Sequence, residues 1–235
     1  MSFYSDFSHY YDLIFPYSPK AVELFAQTFL PYGKVLDLGC GAGSYAYALA
    51  EKGYIVDGVD FDQAMIDIAN KKNNKSLSLN YKQGDMLNLD AIDTYDGIYC
   101  IGNTLVHLPS TQAIFEALGK IYDGLKPNGT FILQIVNYDR ILDQSVKSLP
   151  TLTAENLEFI RDYEFDGEKI HFKTTLKTQE GIYQNTVELL PIRQNTLFKM
   201  MTQIGFHEVR SFGRFDLSPF ESDQSFMLVM KGTKR

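Results

Sequence analysis

Nine consecutive residues, Val35-Leu36-Asp37-Leu38-Gly39-Cys40-Gly41-Ala42-Gly43, combine an apolar run, one acid and three glycines. A short apolar run bounded by glycine reads as a buried strand, and glycines at its end let backbone approach a ligand closely. The following segment, Ser44–Lys52, has helical character, and a helix N-terminus offers free N–H groups. A tight glycine turn with no ligand would use the same residues. Against that plainer reading, Asp60 closes the next strand-like run, Tyr54–Asp60, at the distance expected of an acid that accepts from ribose hydroxyls. A further acid, Asp85, follows Gly84 at the end of Leu77–Lys82.

These residues need elements to position them. Strand and helix patterns alternate through the first half of the chain. Gln63–Lys71 is helical, with Asp62 available as its N-cap; Tyr95–Ile101 is a strand, and Ser110–Leu125 is an amphipathic helix that Ser110 caps. Pro127-Asn128-Gly129 is a turn, and Thr130–Val136 a buried strand. Such alternation predicts a parallel sheet wrapped on both faces, with ligands beyond the carboxyl ends of its strands. Five successive ends carry Asp37-Leu38-Gly39, Val59-Asp60, Gly84-Asp85, Gly102-Asn103 and Asn137-Tyr138. The rhythm then changes. Glu155–Phe165, Lys169–Lys177 and Tyr183–Leu189 read as strands joined by turns at Asp166-Gly167 and Gln179–Gly181, an antiparallel flap. Thr196–Ile204 is a helix stopped by Gly205, and Glu208–Phe212 and Phe226–Met230 are closing strands.

Glycine spacing separates two ligand classes. A dinucleotide fingerprint, G-x-G-x-x-G, would put its third glycine where Ser44 stands; here it is Gly43, and Asp37 precedes the loop. Both features resemble the class I S-adenosylmethionine-dependent methyltransferases, whose signature is a strand, an acid and G-x-G-x-G. The resemblance covers most of the chain. It implies an α/β fold: a Rossmann-like, doubly wound, seven-stranded, mostly parallel sheet with the antiparallel flap inserted in the C-terminal half. The expected organisation is one domain over 1–235, with 1–30 as N-terminal lid helices and 142–190 as a flap over the acceptor site. S-adenosyl-L-methionine is the implied cofactor and S-adenosyl-L-homocysteine the product. The implied contacts are Gly39, Cys40 and Gly41 along the methionine part, and Asp37 toward the loop and the cofactor's amino group. Asp60 takes the ribose hydroxyls, Phe61 and Met65 flank the adenine, and Asp85 accepts from its amino group beside Met86. Met65 and Met86 are equally well read as core.

Cys100-Ile101-Gly102-Asn103-Thr104-Leu105-Val106-His107-Leu108-Pro109 and Val136-Asn137-Tyr138-Asp139 carry a closer resemblance, to the glycine N-methyltransferase branch with its G-N-S-x-x-H-L and N-Y-D segments. That implies cofactor contacts at Ile101 and Gly102, and Asn103, His107 and Tyr138 beside the acceptor as candidate catalytic residues. A lone His is also read as a structural hydrogen bonder. One departure matters. Where the glycine enzymes have Arg before N-Y-D, thought to hold the substrate carboxylate, this chain has Val136, which lacks that fork of donors. Glycine is therefore a poor expectation as acceptor. The tyrosine-rich opening Phe7–Phe15 also resembles the superfamily, implying that Tyr11 contacts the sulfonium region and that Lys20 meets the cofactor carboxylate.

Composition sets the remaining bounds. The 235 residues are 45% hydrophobic and 22% charged, with formal net charge -7, so a neutralising surface for nucleic acid is not expected. Cys40 and Cys100 suit neither a zinc site nor a disulfide framework, and no two of His9, His107, His171 and His207 have helical ligand spacing; no metal is expected. The N-terminus carries no signal-peptide pattern and no apolar stretch is long enough to span a bilayer, so a cytoplasmic enzyme acting on a small molecule is expected, its oligomeric state open. Two other readings stand beside it: a nicotinamide-dependent oxidoreductase on a Rossmann-type sheet, and a cofactor-binding protein without turnover.

Overall fold

Apolar runs that end in glycine or an acid become the parallel strands. The computed structural model describes residue 10, residues 14–154 and residues 156–235. Strands β1 (Lys34–Leu38), β2 (Ile55–Asp60), β3 (Leu79–Gln83), β4 (Tyr95–Cys100) and β5 (Leu125–Val136) pair in parallel, in the order β3-β2-β1-β4-β5. Beyond β5, β11 (Met227–Thr233) runs antiparallel to it, and β10 (His207–Phe212) antiparallel to β11, completing a seven-stranded sheet. Both faces are covered, which is why the central strands are almost wholly apolar. Helices α1 (Pro19–Thr28), α2 (Ser44–Glu51) and α3 (Gln63–Lys72) pack with Val35, Tyr99 and Ile132 on one face. Helices α4 (Thr111–Gly124) and, after the short α5 (Tyr138–Asp143), α6 (Gln194–Ile204) pack with Leu36, Leu38, Ile98 and Leu133 on the other. Alternation along β1 therefore turns Asp37 toward the α1–α3 face, where its register neighbour on β4 is Tyr99. Phe25 of α1 stacks on that tyrosine, ring centroids 4.3 Å apart.

A second, antiparallel sheet lies between α5 and α6 in sequence: β6 (Ser148–Ala154), β7 (Leu157–Asp166), β8 (Lys169–Lys177) and β9 (Ile182–Leu189). Its outward face is laced by Lys177–Glu158, Lys173–Glu164 and Lys169–Glu188 ion pairs. Its inward row is Leu157, Phe159, Arg161 and Tyr163, all buried. Tyr10, Ile14 and Phe15 pack against Leu157, Phe159 and Leu176 of this sheet.

The sequence predicts three strands here, the first starting at Glu155; the structure has four, and β7 starts at Leu157. Strand β6 carries Pro150 and a register irregularity between Leu149 and Leu152, both tolerated because it is an edge. Its weak alternation hid it. Helix α4 ends at Gly124, and the expected turn at Pro127-Asn128-Gly129 lies inside β5. There the pairing jumps from Tyr95↔Leu125 to Gly97↔Thr130, and Asn128 takes φ 65°. The turn residues make a bulge, not a strand boundary. Among the described residues, no helix is long and apolar enough to cross a membrane.

Candidate active site

The glycine loop follows from the hydrogen bonds that fold it. Gly39 and Cys40 both donate their N–H to the Val59 carbonyl, at 2.7 and 3.0 Å, which turns the chain sharply off β1. Gly39 sits at φ 82°, and a Cβ there would stand 2.4 Å from Thr104 Cγ2, so no other residue fits. Asp60 at the end of β2 pins the loop: its Oδ2 accepts from Gly41 N–H at 2.7 Å and its Oδ1 from Asp62 N–H at 2.9 Å. Burial raises the Asp60 pKa while those N–H bonds pull it back. Each carboxylate oxygen keeps acceptor capacity for a further donor. Asp62 caps α3 by accepting from Ala64 N–H at 2.9 Å, and Asp85 likewise accepts from Leu87 N–H at 2.9 Å.

Asp60 and Asp85 face the same cavity, of about 780 Å³, beside Gly39, Gly41, Phe61, Met65, Met86, Ile101, Gly102 and His107. The ends of β1 to β4 build it, as expected for a parallel sheet. Met65 is fully buried and Phe61, 75% exposed, forms the rim.

A second cavity, of about 350 Å³, shares Gly39, Ile101, Gly102 and His107 with the first. Asp37, Cys40, Asn103 and Gln134 line its sheet side; Leu149, Phe159, Arg161, Tyr163 and Phe172 of the second sheet close it. Gly102, at φ 75°, has open space where a Cβ would be, and its N–H donates to Gln134 Oε1 at 2.8 Å. Asn103 takes the left-handed conformation, φ 70°; its Oδ1 accepts from Val136 N–H at 3.0 Å, and its Nδ2 donates to the Tyr138 hydroxyl at 2.9 Å.

Two groups in this cavity carry unsettled charge. Asp37 is 1% exposed, and neither of its carboxylate oxygens has a hydrogen-bond partner. Burial dominates and pushes its pKa up to about 8; the Tyr99 hydroxyl and the Ala46 N–H lie near enough to lower it a little but make no hydrogen bond of normal geometry to it. Arg161 is 9% exposed; one terminal nitrogen donates to the Pro150 carbonyl at 2.6 Å and its Nε has no partner. His107, at the junction of the cavities, is pushed down to about 4 by burial, so its imidazole is neutral at physiological pH.

The structure thus brings together Asp37, Gly39, Cys40, Gly41, Asp60, Phe61, Met65, Asp85, Met86, Ile101, Gly102, Asn103 and His107 around two joined cavities. Tyr138 lies behind them, 1% exposed, with its hydroxyl on Asn103; burial holds that phenol well above its usual range, hence protonated. Lys20 lines neither cavity and its ammonium pairs with Asp216 at 3.3 Å. Tyr11 lies outside the described residues. Burial raises the Cys40 thiol well above its usual range, so it is no thiolate, and both cysteines are free and buried. Among the described residues no group of His, Cys, Asp and Glu is arranged to hold a metal ion.

Gln134 and Arg161 are among the cavity-lining residues that escaped the sequence. Gln134 is a single polar residue in the apolar run Ile132-Leu133-Gln134-Ile135-Val136, and Arg161 a single cation on the inward row of β7. Each breaks its local pattern, and that break was the available signal.

A sheet ordered β3-β2-β1-β4-β5-β11-β10 with its ligand cavity at the β1 and β4 ends defines the class I methyltransferase fold. A methyltransferase-domain family model matches residues 35–129. The chain is 27% identical over 214 residues to glycine/sarcosine N-methyltransferase of Aphanothece halophytica, covering 88% of this chain and 79% of that one. An S-adenosylmethionine-dependent methyltransferase from Clostridium acetobutylicum superposes with TM-score 0.84 at 17% identity, over 99% of each chain. S-adenosylmethionine-bound CalS10, an amino pentose methyltransferase from Micromonospora echinaspora, superposes with TM-score 0.71 at 15% identity, over 91% of this chain and 88% of that one. These likenesses support a class I S-adenosylmethionine-dependent methyltransferase with S-adenosylmethionine as its cofactor. The nicotinamide reading is set aside. The site fits the cofactor. The partnerless Asp37 carboxylate awaits a cationic donor, which an α-ammonium provides, and the open side of Gly102 admits close approach of a ligand.

Proposed function

We propose that the protein methylates a nitrogen nucleophile on a small molecule, by in-line transfer across the junction of the two cavities. The observation that carries this reading is the second cavity. At about 350 Å³ and walled by aromatic side chains, it has the size and character of a small-ligand pocket, and it opens onto the cofactor cavity at Gly39, Gly102 and His107. The glycine/sarcosine N-methyltransferase relative supports a nitrogen acceptor. In this reading the second sheet is the flap over the acceptor, as expected of residues 142–190.

The bound cofactor supplies an activated methyl group on a sulfonium, so the chain's part is alignment and exclusion of water. Asp60 and Asp85 fix the nucleoside end and Asp37 the amino end. Asn103 presents itself to the acceptor, and Tyr138 positions Asn103 through its hydroxyl without touching the reacting atoms. Neutral His107 offers a hydrogen bond or a wall at the junction. With a conjugate acid near 4, it is too weak a base to deprotonate an ammonium, so the acceptor amine arrives neutral. The expected consequence is a kcat/KM profile with no inflection between pH 6 and 7. An inflection there that disappears in His107→Asn would show a titrating imidazole and overturn the neutral assignment.

The reading as a whole is tested with labelled S-adenosylmethionine and a panel of primary and secondary amines, amino acids and amino sugars, following label in the acceptor and release of S-adenosylhomocysteine. Labelled nitrogen is expected in at least one small amine. Cofactor binding with no transfer to any small acceptor, or label found only on oxygen or carbon, refutes it.

A further inference from the structure

Among the described residues, Arg161 is an ionised group without a counter-ion. It belongs to the inward row of β7, between Phe159 and Tyr163, and is 9% exposed. Its bond to the Pro150 carbonyl satisfies one terminal nitrogen; among the described residues Nε has no partner and no carboxylate pairs with the guanidinium. Burying a charge without a counter-ion is costly, and such groups are paired in native proteins. Among the described residues, the only other Asp, Glu, Lys or Arg lining the same cavity is Asp37, whose carboxylate has no hydrogen-bond partner and no cation within ion-pair distance. A guanidinium also presents donors as a planar fork suited to a carboxylate, which an isolated structural cation would not need.

We infer that Arg161 is the anion-binding residue of the acceptor pocket, and that the acceptor is a small amine carrying a carboxylate. The inference rests on the acceptor-pocket reading above and adds the substrate's charge and the residue that selects it. Val136 leaves the strand before Asn137 without a donor fork, and the structure supplies one from the facing sheet instead. The acceptor would then be held by its anion against the second sheet, with its nitrogen turned back toward Asn103 and the cavity junction.

The test is a binding measurement independent of turnover. Protein saturated with S-adenosylhomocysteine is titrated with sarcosine and dimethylglycine and, in parallel, with their uncharged amides, following the melting temperature. Carboxylates are expected to stabilise and amides not. Arg161→Met should weaken the carboxylate response about 10- to 100-fold while the S-adenosylhomocysteine affinity stays within threefold. Arg161→Lys keeps the charge and loses the fork; it should fall in between, and serves where the Met variant does not fold. An unchanged carboxylate response in either variant overturns the inference, as does equal stabilisation by acids and amides, or none by either. Loss of S-adenosylhomocysteine affinity with an intact probe response would assign the guanidinium to the cofactor's own carboxylate and also overturn it. If carboxylates bind through Arg161 but no amine is ever methylated, the proposed reaction fails and the anion site stands.

Discussion

Asp60→Ala is expected to weaken S-adenosylmethionine and S-adenosylhomocysteine binding on the order of 100- to 1000-fold and to abolish their effect on melting temperature. Two causes add. The charged acceptor for the ribose hydroxyls is lost, and hydrogen bonds to a charged group contribute about 1.5–3 kcal/mol each. The Gly41 and Asp62 N–H groups, now held by the two carboxylate oxygens at 2.7 and 2.9 Å, are also released, so the loop loses its pin. Asp60→Asn separates these causes. One oxygen survives, but the amide must point its NH2 at one of two backbone donors, so an intermediate loss is expected. Isothermal titration with S-adenosylhomocysteine reads both variants, with far-ultraviolet circular dichroism as the check on folding. Binding by the Ala variant within threefold of the native protein would remove Asp60 from the cofactor site.

The second large effect is a pH dependence. In the free protein, burial holds the Asp37 carboxyl near 8, so below that pH the site is mostly protonated. Pairing with an α-ammonium needs the carboxylate. Binding therefore releases a proton at low pH, and affinity should rise about tenfold per pH unit from pH 6 until it levels near pH 8. At still higher pH it falls again, once the ligand's own α-ammonium loses its proton. A unit slope on the acid side that levels near pH 8 is the expected titration result for S-adenosylhomocysteine. Asp37→Asn should flatten the acid side and weaken binding at pH 8, because one uncharged acceptor replaces an anion. Native affinity that stays constant between pH 6 and 8 would show that Asp37 is already ionised, or that it does not meet the ammonium.

The cofactor half was legible because its requirements are local. Gly39, Gly41 and Gly43 need positive φ, Asp60 terminates β2 and Asp85 stands two residues past the end of β3, and Asp62 and Ser110 cap helices, at 2.9 and 3.1 Å from Ala64 N and Ala113 N respectively. Each of these is decided within a few residues. The acceptor half was not, because it is made by a facing surface. No local rule brings Arg161 opposite Asn103 and Gln134, which lie about thirty to sixty residues earlier in the chain. The edge strand β6 was missed because an edge strand needs only one ladder, and Pro150 is compatible with that. The fate of Lys20 was equally non-local, since its partner Asp216 stands at the far end of the chain.

The second sheet joins the main body through a shared apolar core that includes Leu149, Tyr163, Ile170 and Leu189, through the Leu190 N–H to the Val106 carbonyl at 2.8 Å, and, just beyond it, through Arg193 to Asp139 and Asp143. Everything it shows the pocket comes from one row at a spacing of two along β7, with Leu149 and Phe172 from the flanking strands. On the proposed reading, substrate preference would be written in a short cassette, apart from the glycine loop and the acids of the larger cavity. Such a layout makes the enzyme a candidate for directed evolution by saturating positions 159, 161, 163 and 172 alone. A new acceptor could be sought there while the methyl donor's half of the molecule is left as it is.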